Sequence, residues 1–286
     1  DGFSGLLVDR YGDHLLLQWT SRALSQREDL FVSLLQQRLS PAGIWRRTER
    51  AIGDLEGLQA GDERIAGTDP PRPLFIEEHG LRYGVDVVTG QKTGWYFDQR
   101  ENRAVAAKYL QGQVLDMFCY TGGFGIAALK LGAAEQVQAV DSSDAALQIG
   151  RNNAELNDVA DRITWEHSDA APRMEQLHAA GQRFDGVVLD PPKMARTRGG
   201  LNRALKGYRT LNRLAVDLLR PGGILVTCSC SGLVARSDFE QMLAQVAGET
   251  HRRIQILDAR GQAADHPVSV TCLESDYLKC FICRVV

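Results

Sequence analysis

The sequence predicts an α/β fold: a mostly parallel sheet with helices on both faces, preceded by a smaller α+β domain. Three observations predict it. From about residue 100 onward, short apolar runs alternate with helical stretches. Several of those runs end in glycines or in a single carboxylate. Residues 1–88 have a different, mixed rhythm, which sets the expected domains at 1–88 and 89–286. A chain of 286 residues is long enough for one full α/β domain and a small companion.

In the first region, Leu6-Leu7-Val8 and Leu15-Leu16-Leu17 flank Tyr11-Gly12-Asp13 and read as a hairpin. Residues 22–39 place Leu24, Leu30, Phe31, Leu34, Leu35 and Leu39 at helical spacing. Strands are expected at Ile44–Arg47 and Leu81–Val88, with Pro70-Pro71-Arg72-Pro73 interrupting the chain between them. In the second region, strands are expected at Val114-Leu115, Val137–Val140, Ile163–Trp165, Gly186–Leu189 and Ile224–Val226. A last alternating segment closes the chain at Tyr277–Val286. Parallel strands of this kind place ligands at their carboxyl ends, near the point where strand order reverses.

A composition of 44% hydrophobic and 24% charged residues is ordinary for a soluble globular protein. No apolar run approaches the roughly 20 residues that span a bilayer, and a cytoplasmic location is expected. The net charge of -3 offers no global attraction for nucleic acid, so a nucleic-acid surface has to be a local basic patch. The opening Asp1-Gly2-Phe3-Ser4-Gly5 has neither an initiator Met nor a signal pattern, which points to a start within a longer reading frame. The six cysteines are expected as free thiols. Cys280-x-x-Cys283 lies in the alternating terminal segment with no second pair or His cluster, so no metal is expected.

The first strand of the second region leads into Asp116-Met-Phe-Cys-Tyr-Thr-Gly-Gly-Phe-Gly125. Glycines 122, 123 and 125 allow a sharp turn and close approach to a ligand, but they fit neither G-x-G-x-x-G nor a P-loop. The second strand ends in Asp141, about 20 residues further on, where a carboxylate accepts from both ribose hydroxyls of an adenosine. That pair alone serves NAD equally well. Asp116 before the glycines tips the balance, because it repels a diphosphate and attracts a sulfonium or ammonium cation. Asp169, after the third strand, is read either as an acceptor for the adenine amino group or as a helix N-cap ahead of Pro172.

The fourth strand ends Asp190-Pro191-Pro192-Lys193, a rigid loop that fixes one carboxylate at the sheet edge. Enzymes that methylate base amines usually carry an aromatic residue after such prolines, and Lys193 departs from that pattern. The fifth strand ends Thr227-Cys228-Ser229-Cys230-Ser231-Gly232. Two thiols here point to nucleophilic catalysis. Carbon 5 of cytosine is too weak a nucleophile to take a methyl directly, and a thiolate adding at C6 activates it. Asp190 is then the group expected on the N3 and N4 edge of the base. Residues two apart on a strand share a face, so both cysteines are expected to point into the site. The Thr-Cys-Ser context of Cys228 resembles the nucleophile motif of RNA cytosine-5 methyltransferases, and Cys228 is preferred over Cys230. Against this stands the fact that free cysteines are commonly buried small hydrophobes.

Taken together, Glu77-Glu-His-Gly80, Thr89-Gly-Gln-Lys-Thr-Gly94 with Phe97-Asp-Gln-Arg100, Phe118-Cys-Tyr-Thr-Gly-Gly123, Asp190-Pro-Pro-Lys193, Cys228-Ser-Cys-Ser-Gly232 and Ala264-Asp-His-Pro267 resemble one family. It is the large-subunit ribosomal RNA cytosine-5 methyltransferase family, whose members carry a PUA, a central and a catalytic domain. The resemblance runs nearly end to end. It implies a Rossmann-like class I S-adenosylmethionine methyltransferase with a seven-stranded, mostly parallel sheet. It also implies a central domain with an RNA-binding face in residues 1–88, and a PUA domain upstream of this chain.

By the same resemblance the cofactor site comprises Lys92, Asp98, Arg100, Asp116, Phe118, Tyr120, Thr121, Gly122, Gly123, Asp141, Ser142, Asp169 and Asp190. The catalytic group comprises Cys228, Cys230, Asp190 and Lys193. Asp98 also has a plainer reading, as the cap of the helix containing Val105 and Leu110. A sister family methylating guanine N7 shares much of the pattern without the paired cysteines.

The implied partner is large-subunit ribosomal RNA, with no membrane and no metal, and with the oligomeric state open, a homodimer included. Arg196, Arg198, Arg203 and Lys206, in a basic run from Lys193 to Arg209, are the expected phosphate contacts. Arg46, Arg47 and Arg50 form a second run. Tyr96 or Phe97 is read either as a stacking partner for a base turned out of its helix or as core. His79 and His266 are motif residues read as structural. The alternatives are methylation at another base position, such as guanine N7, and a non-catalytic RNA-binding assembly factor.

Overall fold

The computed structural model describes residues 4–48, 50–58, 61–87, 94–195 and 197–286, with side chains left aside at 50–52. The chain forms two compact units, Asp1–Tyr96 and Phe97–Val286.

In the first unit, strands β1 (Leu6–Tyr11) and β2 (His14–Trp19) make the expected hairpin. The expected helix over 22–39 is two helices, α1 (Arg22–Ser25) and α2 (Glu28–Leu39). The Arg27 N–H turns back to the Leu24 carbonyl, closing α1. Strand β3 (Gly43–Thr48) runs parallel to β2, and after helix α3 (Arg50–Glu56) strand β4 (Gly61–Gly67) lies antiparallel to β3. The core of this sheet is Leu15, Leu17, Trp19 and Ile44, with Phe31 and Leu35 of α2 packed on it. A separate hairpin joins β5 (Leu74–Glu78) and β6 (Leu81–Val85). Its two-residue turn is His79-Gly80, both at positive φ (51° and 79°), which accounts for that motif as hairpin geometry. The expected strand to Val88 stops at Val85, and Val88 itself lies outside the described residues.

The second unit starts with α4 (Arg100–Ala107) and then alternates β7 (Gln111–Met117), α5 (Gly123–Leu131), β8 (Ala133–Asp141), α6 (Asp144–Leu156), β9 (Ile163–His167), α7 (Ala170–Ala179), β10 (Phe184–Leu189), α8 (Leu201–Leu218), β11 (Leu219–Ser229), α9 (Arg236–Thr250), β12 (Ile254–Arg260) and β13 (Lys279–Val285). These strands form one seven-stranded sheet in the order β12-β13-β11-β10-β7-β8-β9. The five strands from β11 to β9 pair in parallel, and β13 is antiparallel to both its neighbours. This is the mostly parallel sheet expected. Its central strands are buried on both faces: Val187, Val188, Leu225 and Val226 have no exposed surface. Helix α8 buries Ala204, Tyr208, Leu211, Ala215 and Leu218, an i, i+4, i+7, i+11, i+14 stripe. Strand order reverses between β7 and β10, so their carboxyl ends, Met117 and Leu189, open the crevice in which such sheets hold ligands.

Candidate active site

The glycine loop that leaves β7 is held under backbone strain. Phe118, Tyr120 and Gly122 all have positive φ (61°, 50° and 85°), a conformation that costs energy at the two residues other than glycine. Neighbours fix it. Asp141 Oδ2 accepts the Tyr120 N–H at 2.9 Å, and Asp141 Oδ1 accepts the Ser143 N–H at 2.9 Å. Buried Asn153 of α6 donates to the Thr121 carbonyl at 3.2 Å. A side chain at Gly122 would lie 2.6 Å from the Trp165 ring, so only glycine fits there.

Asp116 is buried at the end of β7, and its Oδ2 accepts the Gly125 N–H at 2.9 Å. Burial pushes its carboxyl up to about 8. The Gly125 bond works against this, and the charges of Asp190 and Asp141 add to it. Three carboxyl groups thus converge at the ends of β7, β8 and β10, and the charges of Asp190 and Asp141 disfavour charge on Asp116. A cation placed among them relieves that repulsion. Each Asp141 oxygen accepts one backbone N–H and has capacity for a ribose hydroxyl. Thr121 Oγ1 and Asp98 Oδ1 are buried acceptors without a partner. The acceptor set and the strained glycine-bearing loop therefore fit an adenosine ligand carrying positive charge. Asp169 stands at the N-cap of α7, but its side chain makes no capping bond and is exposed. Ser142 is exposed as well.

Asp98 does not cap α4. It is buried in a short turn before the helix, where its Oδ2 accepts the Tyr277 hydroxyl at 2.8 Å and its carbonyl accepts the Ala263 N–H. Arg100 pairs with Asp265 at 2.9 Å, and His266 Nδ1 lies 3.0 Å from the other Asp265 oxygen. Burial alone would raise the Asp265 carboxyl, but the bonds from His266 and Arg100 outweigh it and hold the group below its usual range. His266 thus orients the carboxylate that holds Arg100. Lys92 lies outside the described residues.

On the reaction side, Gln99 is the residue that sequence reasoning passed over, although it lies inside the quoted Phe97–Arg100 motif. Its Nε2 donates to Asp190 Oδ1 at 2.9 Å and its Oε1 accepts from Asn102 at 2.7 Å. The two cysteines do not share an environment. Cys228 has no exposed surface and lies opposite Cys280 across the β11–β13 ladder. Burial, then Cys280 and Asp190, push its thiol well above the ordinary value, with only Gln99 opposing. Cys230, one step beyond the strand, is half-buried, with Sγ 4.0 Å from the Pro191 carbonyl. The expectation that both thiols open into the site is therefore corrected: alternation puts them on one side, but the β13 partner seals Cys228.

The serines that flank Cys230 are anchored in the core. Ser229 Oγ donates to the Tyr208 hydroxyl at 3.0 Å, which lies 3.3 Å from Ser231 Oγ; Ser231 Oγ also accepts the Ala195 N–H of the Asp-Pro-Pro loop at 3.2 Å. Tyr208, Ser229 and Ser231 left no sequence signal beyond their place near the motifs.

Lys193 is exposed, as are Arg198, Arg203 and Lys206, and none of the four makes an ion pair or side-chain hydrogen bond among the described residues. Arg196 lies outside them. Arg46 pairs with Glu28 and Glu63, and Arg47 with Asp62, so these two cations of the second basic run are neutralised within their own unit, and the Arg50 side chain lies outside the described residues. Tyr96 and Phe97 are half-buried. All six cysteines are free, and among the described residues no group of three His, Cys, Asp or Glu side chains is placed to hold a metal ion. No helix of the described residues is long and apolar enough to cross a membrane.

Residues 61–258 match the model of a family described as S-adenosylmethionine-dependent methyltransferase. The chain belongs to this family. Membership settles the choice between nicotinamide and methyl-donor chemistry that the glycine loop and Asp141 left open: the cofactor is S-adenosylmethionine, and the protein is a methyltransferase. Among its relatives, "Ribosomal RNA large subunit methyltransferase I" of Photobacterium profundum is 40% identical over 287 residues, covering 100% of this chain and 72% of the relative. The protein of the same name in Aeromonas hydrophila is 43% identical, covering 99% of this chain and 72% of the relative. The crystal structure of SMU.776 complexed with SAH matches with a TM-score of 0.86 at 23% identity over 99% of this chain and 72% of that one, a likeness of fold.

Proposed function

We propose that this methyltransferase acts on carbon 5 of a cytosine in large-subunit ribosomal RNA, in the cytoplasm, through a covalent adduct on Cys230. The relatives' shared name supports the RNA class. The observation that carries the cytosine chemistry is the half-open Cys230 thiol against the Asp190-Pro191 loop, at the carboxyl end of the same sheet as the glycine loop.

The methyl donor supplies an electrophilic methyl on a sulfonium. Asp116, Phe118, the Tyr120–Gly123 segment and Asp141 hold it, with Asp98, Arg100, Ser142 and Asp169 at the margins. The Cys230 thiolate adds to C6 of the base. As negative charge builds at N3, Asp190, steadied by Gln99 and carrying a proton, donates it to N3 and accepts from the N4 amine. C5, now an enamine carbon, takes the methyl. A base removes the C5 proton, the C6–S bond breaks and the ring is restored. Cys228, sealed under Cys280, supports this network from behind. Lys193, Arg198, Arg203 and Lys206 hold RNA phosphates. The first unit serves as the central domain of the family that the sequence resembles.

The test is methyl transfer from labelled S-adenosylmethionine to unmodified large-subunit ribosomal RNA by wild type, Cys228→Ala and Cys230→Ala. The expected product is 5-methylcytosine, with Cys230→Ala down by at least about a thousandfold and Cys228→Ala within about tenfold of wild type. Loss in Cys228→Ala alone would transfer the role to that thiol. Label on guanine N7, or an active Cys230→Ala, would overturn the cytosine reading. Cofactor binding without transfer to any RNA would make the protein an assembly factor.

A further inference from the structure

A lysine in the core of a sheet needs a reason. Lys279, the first residue of β13, is 1% exposed. It stands opposite Ser229 in the β11–β13 ladder, so it lies where the chain turns out of the sheet to present Cys230. Its Nζ donates to the Ser231 carbonyl at 2.8 Å and to the Tyr277 carbonyl at 2.9 Å. These bonds take two of the ammonium's three donors, and no acceptor among the described residues takes the third. Both acceptors are neutral carbonyls, so no carboxylate is hydrogen-bonded to the charge. A methionine, one atom shorter, would fill most of the space without desolvating an ammonium, which costs several kcal/mol per buried ion.

We propose that Lys279 is a positioning residue that holds Cys230 as a thiolate, its ammonium fixed beneath the Cys230–Ser231 turn by the carbonyls of Ser231 and Tyr277. A fixed positive charge in a low-dielectric setting favours the ionised thiol, and the thiolate is the form that attacks carbon. The thiol proton leaves to water through the half-open mouth, and no bond to the lysine forms. Other groups share the neighbourhood. Burial brings Lys279 down to about 8, Asp276, the Cys230 charge and Asp238 favour its ammonium, and Arg236 opposes it. Burial keeps the phenols of Tyr208 and Tyr277 in the neutral form, reinforced at Tyr277 by Asp98, and the Cys230 charge adds a smaller share at both. Lys279 is therefore a cation hydrogen-bonded to the nucleophile's own turn. The inference deepens the reading of Cys230 as nucleophile and rests on it for its catalytic meaning.

The experiment measures the pH dependence of iodoacetamide labelling at Cys230, read by peptide mass spectrometry. The full chain carries Cys272→Ser to remove the exposed thiol of the loop before β13. The same protein with Lys279→Met is compared. The expected result is an alkylation profile displaced to higher pH by at least about one unit, which is a roughly tenfold slower reaction at pH 7. A folded Lys279→Met with an unmoved profile would overturn the proposal. Should that variant not fold, the wild-type thiolate absorbance, taken as the difference from Cys230→Ser, decides: titration below the ordinary free-cysteine value of about 8.5 supports it, and titration at or above that value overturns it. Labelling needs no turnover. An active Cys230→Ala therefore refutes the nucleophile reading by itself, while the labelling profile judges Lys279.

Discussion

Asp116 shows how one buried carboxyl can link folding, pH and ligand charge. Its Oδ2 holds the Gly125 N–H, and burial with two neighbouring carboxylates raises it to about 8. In the folded, ligand-free protein it therefore keeps its proton at neutral pH, whereas in the unfolded chain it loses it near 4. The folded state then binds the extra proton between those values, so its stability is greatest at the acid end and declines as pH rises through about 8. The expected slope from this group is up to about 1.4 kcal/mol per pH unit, measurable by denaturant titration between pH 5 and 8. Asp116→Asn keeps an oxygen for Gly125 and removes the ionisation. It should flatten the slope and weaken S-adenosylmethionine binding by about tenfold or more, since a cation no longer finds a carboxylate there. A slope unchanged in the variant would place its origin in other groups.

At the scale of elements, the glycine loop rests on a neighbouring strand through one ring. The edge of Trp165, from β9, fills the space left by two glycines: Gly122 of the loop, at 2.6 Å from an added side chain, and Gly150 of α6, at 2.5 Å. In an isolated helix Gly150→Ala would gain about 1 kcal/mol. Here the new methyl meets the ring, and overpacking of this kind costs about 1–3 kcal/mol. The clash wins. Gly150→Ala should lower thermal stability by about 1 kcal/mol, and Trp165→Phe in the same chain should return part of it, a coupling that a double-mutant cycle reads directly. A stabilised Gly150→Ala would show that the ring yields freely.

The same elements show what a sequence can carry. Strands β7, β8 and β10 were legible because burial on both faces makes each an apolar run, and their terminal carboxylates and glycines stand out against it. Strand β12, half-exposed along Ile254–Arg260, has no such run and was missed. Alternation told which side Cys228 and Cys230 share but not their depth, which is set by β13, a strand some 50 residues further along. Lys279 had a weak signal, a charge at the start of an apolar terminal segment, and the carbonyls that hold it come from turns no pattern could bring together.

For the whole molecule, charge distribution matters more than net charge. The chain has 33 Lys and Arg against 36 Asp and Glu, so its mean field does not attract a polyanion. Several cations are moreover committed: Arg46 to Glu28 and Glu63, Arg209 to Glu249, Arg213 to Asp217. Arg203 and Lys206, near the start of α8, are exposed and have no ion pair among the described residues. An arginine already neutralised releases little from a phosphate it meets, whereas an unpaired one displaces a condensed counterion. Arg203→Gln with Lys206→Gln should therefore weaken RNA binding and reduce the slope of log affinity against log salt by about 1.4 for single-stranded contacts. Affinity for S-adenosylmethionine should stay unchanged. Arg46→Gln, a loss of one charge from a cluster with two carboxylates, should leave the salt slope nearly as it was. Equal slopes for wild type and the double variant would mean that the RNA approaches the reaction loop from another side, and that the exposed cations of α8 serve solubility alone.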